Sequence, residues 1–150
     1  MDLTFRETQI ADVERLFEVR AATRENALSR QTLAELGYTP ESTAADLLSG
    51  RIKSWVCVHN SRVVGFCSGR LENGEVLALA VLPEYEGRGI GKQLLARTVA
   101  ALRSEKPSRI WLAASPAPLR RAHGFYRAQG WRLTGERTAY GDEILVLESA

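Results

Sequence analysis

At 150 residues, with 45% hydrophobic and 25% charged side chains, the chain has the size and make-up of one globular domain able to bury a core. A net charge of +2 and the absence of any long basic run argue against nucleic acid as a partner; the densest basic spot, Arg120-Arg121, is not extended by Leu119 or Ala122. Met1-Asp2-Leu3-Thr4-Phe5-Arg6 lacks the apolar stretch of a secretory signal, no run reaches membrane-spanning length, and Cys57 and Cys67 sit inside apolar runs. These features point to a cytoplasmic protein whose thiols are core residues, with a disulfide or metal role as the lesser reading.

Taken in order, Leu3 to Glu7 reads as a short strand with Leu3 and Phe5 on one face. Thr8 is placed to cap a helix in which Val13, Leu16 and Phe17 recur at helical spacing. A polar stretch, 20–30, follows. Gly37-Tyr38-Thr39-Pro40 breaks the chain, and Ser42 or Thr43 is placed to cap a short helix through Leu47 and Leu48 to Gly50. The pattern then turns to strands. Residues 55–59 and 63–70 flank the turn Asn60-Ser61, and Glu72-Asn73-Gly74 leads into the strand 75–81. After a second long helix come the strand Ile110-Trp111-Leu112-Ala113 and a helix opened by Ser115-Pro116 and closed by Gly130. Trp131 to Thr138 and Ile144 to Leu147 then close as a hairpin around Tyr140-Gly141-Asp142. No repeat or low-complexity segment interrupts this order.

The stretch 81–95 holds the most information. It reads as a strand end, a turn with Gly87, Gly89 and Gly91 alternating, and a helix carrying Ile90, Leu94, Leu95, Thr98 and Leu102 on one face. Alternating glycines let backbone N–H groups converge with no Cβ in the way. The helix start adds orphan N–H donors and the positive end of its dipole, which together suit a phosphate. The dipole alone stabilises an anion by roughly 0.3–1 kcal/mol, so the amides must supply most of the affinity. The spacing matches neither the dinucleotide-binding G-x-G-x-x-G nor the P-loop G-x-x-x-x-G-K-[ST]. The competing reading is a tight strand–helix connection without a ligand.

Glu86-Gly87-Arg88-Gly89-Ile90-Gly91 resembles the acyl-CoA signature [RQ]-x-x-G-x-[GA] of the GNAT superfamily of N-acetyltransferases, departing from it at Glu86. Ala122-His123-Gly124-Phe125-Tyr126-Arg127-Ala128-Gln129-Gly130-Trp131 is similar to that family's A-x-x-F-Y-x-x-x-G-[FW] box. The order β-α-α-β-β-β-α-β-α-β-β also resembles the family, over roughly Leu3 to Leu147. The resemblance implies a single α/β (α+β) domain, 1–150, with a mixed, mostly antiparallel sheet flanked by helices, whose strands splay around the cofactor. It implies acetyl-CoA as co-substrate and no metal. Cofactor contacts would come from Leu79, Ala80, Val81, Glu86, Gly87, Arg88, Gly89, Ile90, Gly91 and Lys92. Of these, Ala80 and Val81 would offer N–H groups to the thioester oxygen, and Leu79 and Val81 would pair with the pantetheine amides. The family's frequent asparagine three residues before the box falls on Leu119 here, so that contact is not carried over.

Acetyl transfer to an amine releases a thiolate, which needs a proton donor. The resemblance assigns that to Tyr126, a neutral phenol at pH 7; the alternative is a core aromatic beside Phe125. Glu75 stands roughly where the histone-acetyltransferase branch carries its glutamate base, among apolar neighbours that would raise its pKa. It reads equally as a cross-strand partner of Arg70. His123 and His59 are weaker candidates by residue type.

The acceptor site in GNAT-like folds lies between the early helices and the last hairpin, which points to Arg24, Glu25, Asn26 and Tyr140, with Tyr38, Arg137 and Asp142 nearby. A basic rim there suits a carboxylated amine, an amino acid or peptide end, better than a polycation. The expected activity is transfer of acetyl to a primary amine of a small molecule or peptide, with no nucleic-acid or membrane partner and with homodimerisation left open. The rivals are transfer of a longer acyl chain, set by the volume beside Leu79 and Trp111, an acyl-CoA sensor without turnover, and a nucleotide-binding regulator.

Overall fold

A computed structural model of the chain describes residues 2–23, 28–114 and 121–147, with the side chains of 121–123 left aside. The elements run β1 (Thr4–Glu7), α1 (Val13–Ala21), α2 (Arg30–Glu35), α3 (Pro40–Ser49), β2 (Ile52–His59), β3 (Arg62–Arg70) and β4 (Glu75–Val81). After these come α4 (Ile90–Ser104), β5 (Trp111–Ala114), α5 (Arg121–Ala128), β6 (Trp131–Arg137) and β7 (Glu143–Leu147). All seven strands join one sheet in the order β1-β2-β3-β4-β5-β7-β6. Every neighbouring pair is antiparallel except β4 and β5. The mixed, mostly antiparallel sheet with flanking helices is the architecture expected.

Three local expectations need correction. Thr8 does not cap α1: its hydroxyl donates to Ser54 Oγ at 2.7 Å. A 3-10 turn, Ile10–Asp12, starts the helical segment instead, with Gln9 N–H on Asp12 Oδ2. The start of α3 lies upstream of Ser42: Thr39 and Ser42 form a reciprocal capping box around Pro40 at the first helical position. Third, a short helix that the order of elements did not include, α2, lies between the polar stretch and Gly37, its start capped by Ser29 Oγ on Thr32 N–H. Three helices rather than two therefore separate β1 from β2. The Ser115-Pro116 opening of α5 lies outside the described residues.

The core forms where α4 lies against β2, β3 and β4, burying Ile90, Leu94, Leu95, Thr98, Val99 and Leu102. Cys57 and Cys67 are free thiols within it, as their apolar neighbours suggested. Gly69 permits the close approach: a Cβ there would stand 2.9 Å from Thr98 Cγ2 and 3.1 Å from Leu102 Cδ2. The one hydroxyl on the buried face, Thr98, bonds back to the Leu94 carbonyl at 3.1 Å and so is not left unsatisfied.

The feature that positions the site is the parallel pair. β4 and β5 meet in register only at Glu75 and Trp111, where Trp111 N–H bonds the Gly74 carbonyl at 3.1 Å. Beyond that point the strands diverge and the edge of β4 from Val76 to Val81 has no strand beside it on that side. Gly74 holds the vertex shut, at φ +76 and so near the next segment that a Cβ would fall 2.1 Å from the Arg109 carbonyl oxygen. Gly74→Ala should therefore destabilise the fold by about 2–4 kcal/mol, through strain at positive φ plus the clash, measured as a lower urea midpoint at unchanged m.

Candidate active site

The divergence of β4 and β5 opens a groove of about 850 Å³ between the C-terminal halves of these strands. Its walls come from β4, from the loop leading into α4, from Leu112 to Ala114 on β5, and from Phe125 and Tyr126 on α5. Arg20 and Thr23 at the end of α1 complete it.

One end of the groove has the backbone geometry of an anion cradle. Gly87 and Gly89 both adopt φ +77, a left-handed conformation that strains any residue with a Cβ. Around each of them the space a Cβ would take is open, so conformation rather than crowding demands glycine. Alternating left-handed residues turn successive N–H groups to one side as a nest. The first bond into α4 is Gln93 N–H to the Gly89 carbonyl, 3.1 Å, and Gly89 gives no side-chain cap. The N–H groups of Ile90, Gly91 and Lys92 therefore point out of the helix with no intrahelical acceptor. The Ile90 side chain is core, so only its backbone is available to a ligand. α5 packs beside Gly91, with the Phe125 ring 3.6 Å from where a Cβ would be, an ordinary contact distance. Glu86 and Lys92 line the groove; Arg88 does not, and stacks over the Tyr85 ring at 5.6 Å.

The middle of the groove is the open edge of β4. Leu82 N–H donates to the Val64 carbonyl at 2.9 Å, which sets the phase of the strand. Successive backbone groups alternate sides, so Ala80, opposite Phe66, turns towards β3, whereas Leu79 and Val81 turn to the open edge. Of the two expected oxyanion donors, Val81 faces the groove.

At the inner end Tyr126 packs edge-on against Phe125 and Trp131, with ring centroids 5.3 and 5.8 Å away. Burial pushes its phenol well above the ordinary value; a charge on Cys67 would push the same way, and Arg20 opposes both. Glu75 lies at the closed vertex, in register with Arg70 across the sheet, and does not line the groove, although Val76 and Leu77 beside it do. Burial raises its carboxyl above the usual carboxylate range, while Arg70 and the Asn73 side chain pull it down.

Arg24, Glu25 and Asn26 lie outside the described residues, as does the side chain of His123. Tyr140 is 80% exposed at the β6–β7 turn and does not line the groove. Trp111 is also absent from its walls, with the indole N–H on the Asn73 carbonyl at 3.0 Å. His59 instead shares a 2.6 Å hydrogen bond with the Tyr85 hydroxyl and steadies a ring that lines the groove. Arg20 was not legible as a groove residue, because packing across the fold brings it there, whereas Tyr85 lies in the stretch 81–95 and was not among the candidates. Among the described residues no cluster of His, Cys, Asp and Glu could hold a metal, and no helix is long and apolar enough to cross a membrane.

The sequence profile of the Acetyltransferase (GNAT) family matches residues 14–131. A mycothiol acetyltransferase of a Nocardioides species is 34% identical over 123 residues, covering 80% of this chain and 35% of that protein. A ribosomal-protein alanine N-acetyltransferase of Haemophilus influenzae is 32% identical over 57 residues, 37% of this chain and 39% of that one. The chain spans less than half the length of the curated relatives it matches. In fold it is similar to the PaiA N-acetyltransferase of Thermoplasma acidophilum in complex with coenzyme A, with a TM-score of 0.80 and 22% identity over 99% of this chain and 100% of that one. With a family match over most of its length, a sheet that opens at β4 and β5, and glycines at the start of α4 that the backbone conformation requires, this chain belongs to the GNAT family of acetyltransferases.

Proposed function

We propose that the chain transfers an acetyl group from acetyl-CoA directly to a primary amine of a small molecule or peptide in the cytoplasm. The observation that carries this is one groove joining an amide cradle, an open strand edge and a half-buried phenol. N–H groups from Gly87 to Lys92 hold the pyrophosphate. Leu79 and the Val81 carbonyl pair with the pantetheine amides as an added strand would, which brings the thioester along the strand edge and leaves the Val81 N–H free. As the amine adds, charge grows on the carbonyl oxygen and the Val81 N–H donates to it. The N–C bond forms, the C–S bond breaks, and Tyr126 gives its proton to the departing thiolate. The amine's own proton leaves through water to Glu75, whose place at the vertex is near the groove but not in its wall. Tyr126 regains a proton from solvent. The rival reading, an acyl-CoA sensor without turnover, takes its support from Glu86, an anion where the family's signature has Arg or Gln.

The decisive experiment is thermal melting with acetyl-CoA, CoA, NAD and ATP in parallel, followed by thiol release with an amine panel of free amino acids, short peptides, spermidine and glucosamine. Either CoA compound at 100 times its Kd should stabilise by about 2.7 kcal/mol, a rise of several degrees. A response to NAD or ATP alone, or to nothing, would overturn the proposal; stabilisation by CoA with no thiol release would favour the sensor. Gly89→Ala should weaken CoA binding about tenfold, since left-handed backbone costs an L-residue roughly 1–2 kcal/mol. Tyr126→Phe should lower kcat by about 100-fold or more and leave the Kd of acetyl-CoA unchanged; equal turnover would end the acid assignment. For Glu75, the raised carboxyl puts the acidic limb of the rate profile above the ordinary carboxylate range, with activity lost as pH falls through it. Glu75→Gln should abolish that limb and slow transfer; an unchanged profile would leave Glu75 as Arg70's partner alone.

A further inference from the structure

The acid reading of Tyr126 contains a mismatch. Its phenol is held above the ordinary value of 10, whereas the thiol it must protonate ionises near about 8.5. Proton donation is therefore uphill by more than about thirtyfold, and apolar walls alone would make it worse. Phe125 and Trp131, the rings against the phenol, carry no charge. Cys67 from β3, its thiol pushed up to about 12 by burial, stays neutral at working pH. Arg127, next along α5, is exposed. Glu86 and Lys92 belong to the loop end of the groove.

Arg20 is different. It stands in the last turn of α1, more than a hundred positions before Tyr126 in the chain, yet lines the same groove. The Thr23 hydroxyl and the Leu28 N–H both bond its carbonyl, each at 3.4 Å, and tie down the end of that helix. Burial weakens its hold on its proton, but a guanidinium remains a cation at neutral pH.

We infer that Arg20 is a positioning residue for acyl transfer: its cation, on the wall of the groove that Tyr126 also lines, stabilises the tyrosinate formed when the phenol gives its proton to the thiolate. The inference rests on the acid reading of Tyr126. A cation in the last turn of a helix also suits the dipole, but that role affects stability alone and has no coupling to the phenol.

A double-mutant cycle separates the two, read as thiol release from acetyl-CoA with the fastest acceptor of the amine panel. R20Q should lower kcat about tenfold, the loss of roughly one unit of acid strength, with the KM for acetyl-CoA unchanged. R20K, which keeps the charge, should recover most of that rate. R20Q/Y126F should be no slower than Y126F alone, because without the phenol the cation has nothing to stabilise. Unchanged kcat in R20Q, R20K as slow as R20Q, or losses that multiply in the double variant would each overturn the inference. If Y126F matches the parent, or no amine is acetylated, the reading of Tyr126 falls and Arg20's role with it; if Y126F is slow and R20Q is not, only Arg20's role falls. Should R20Q melt too low to assay, R20K and R20K/Y126F give the same cycle, with a smaller loss in R20K that must vanish when the phenol is absent.

Discussion

The groove of this molecule depends on a sheet that fails to close. β4 and β5 are neighbours for one register pair and then part. A parted strand leaves N–H and C=O groups facing open space, and such groups are tolerated only if water or a ligand satisfies them. The pantetheine arm of CoA, a thin chain with two amides, has the chemistry to complete a strand edge. In the proposed function the opening is both a binding site and a source of orientation, because a ligand paired to β4 has its thioester placed by the strand's own phase.

The rest of the chain maintains this opening. Gly74 shuts the vertex, so that the gap widens in one direction only. The loop after β4 turns its amides onto the site by way of two left-handed glycines. α5 lays Phe125 against Gly91 and sets Tyr126 between Phe125 and Trp131, which ties the proposed acid to the last hairpin. α1 closes the remaining side with Arg20 and Thr23. Residues distant in sequence thus converge on a space that no single element defines.

What could be read beforehand follows from how local the cause is. The strands from 55 to 81 and the buried face of α4 were legible because hydrophobic alternation and helical periodicity report directly on packing. The glycine loop was legible because positive φ is a demand of one residue on its own backbone. Helix starts were less so: Thr8, Thr39 and Ser42 are all plausible caps by type, and tertiary contacts choose among them, as Ser54 does in taking the Thr8 hydroxyl. α2 was missed because six residues with no buried side chain carry no periodic signal. The division of labour between Ala80 and Val81 depends on the pairing of β4 with β3, and Arg20's place on where α1 ends. Neither is written in a local pattern.

Gly69 has a mechanical side. It sits under Thr98 and Leu102, whereas the amides that would hold phosphate begin at Ile90. Eight to twelve residues of helix are roughly 12–18 Å, so α4 is a rod that joins one of its seats, over Gly69, to the cradle. Because the interior is close-packed, anything that lifts the seat tilts the whole rod before it bends it. A side chain at position 69 would thus be felt mainly as a misaimed cradle, in a protein whose groove residues are all still in place. The aim of the anion site is set from the middle of the sheet.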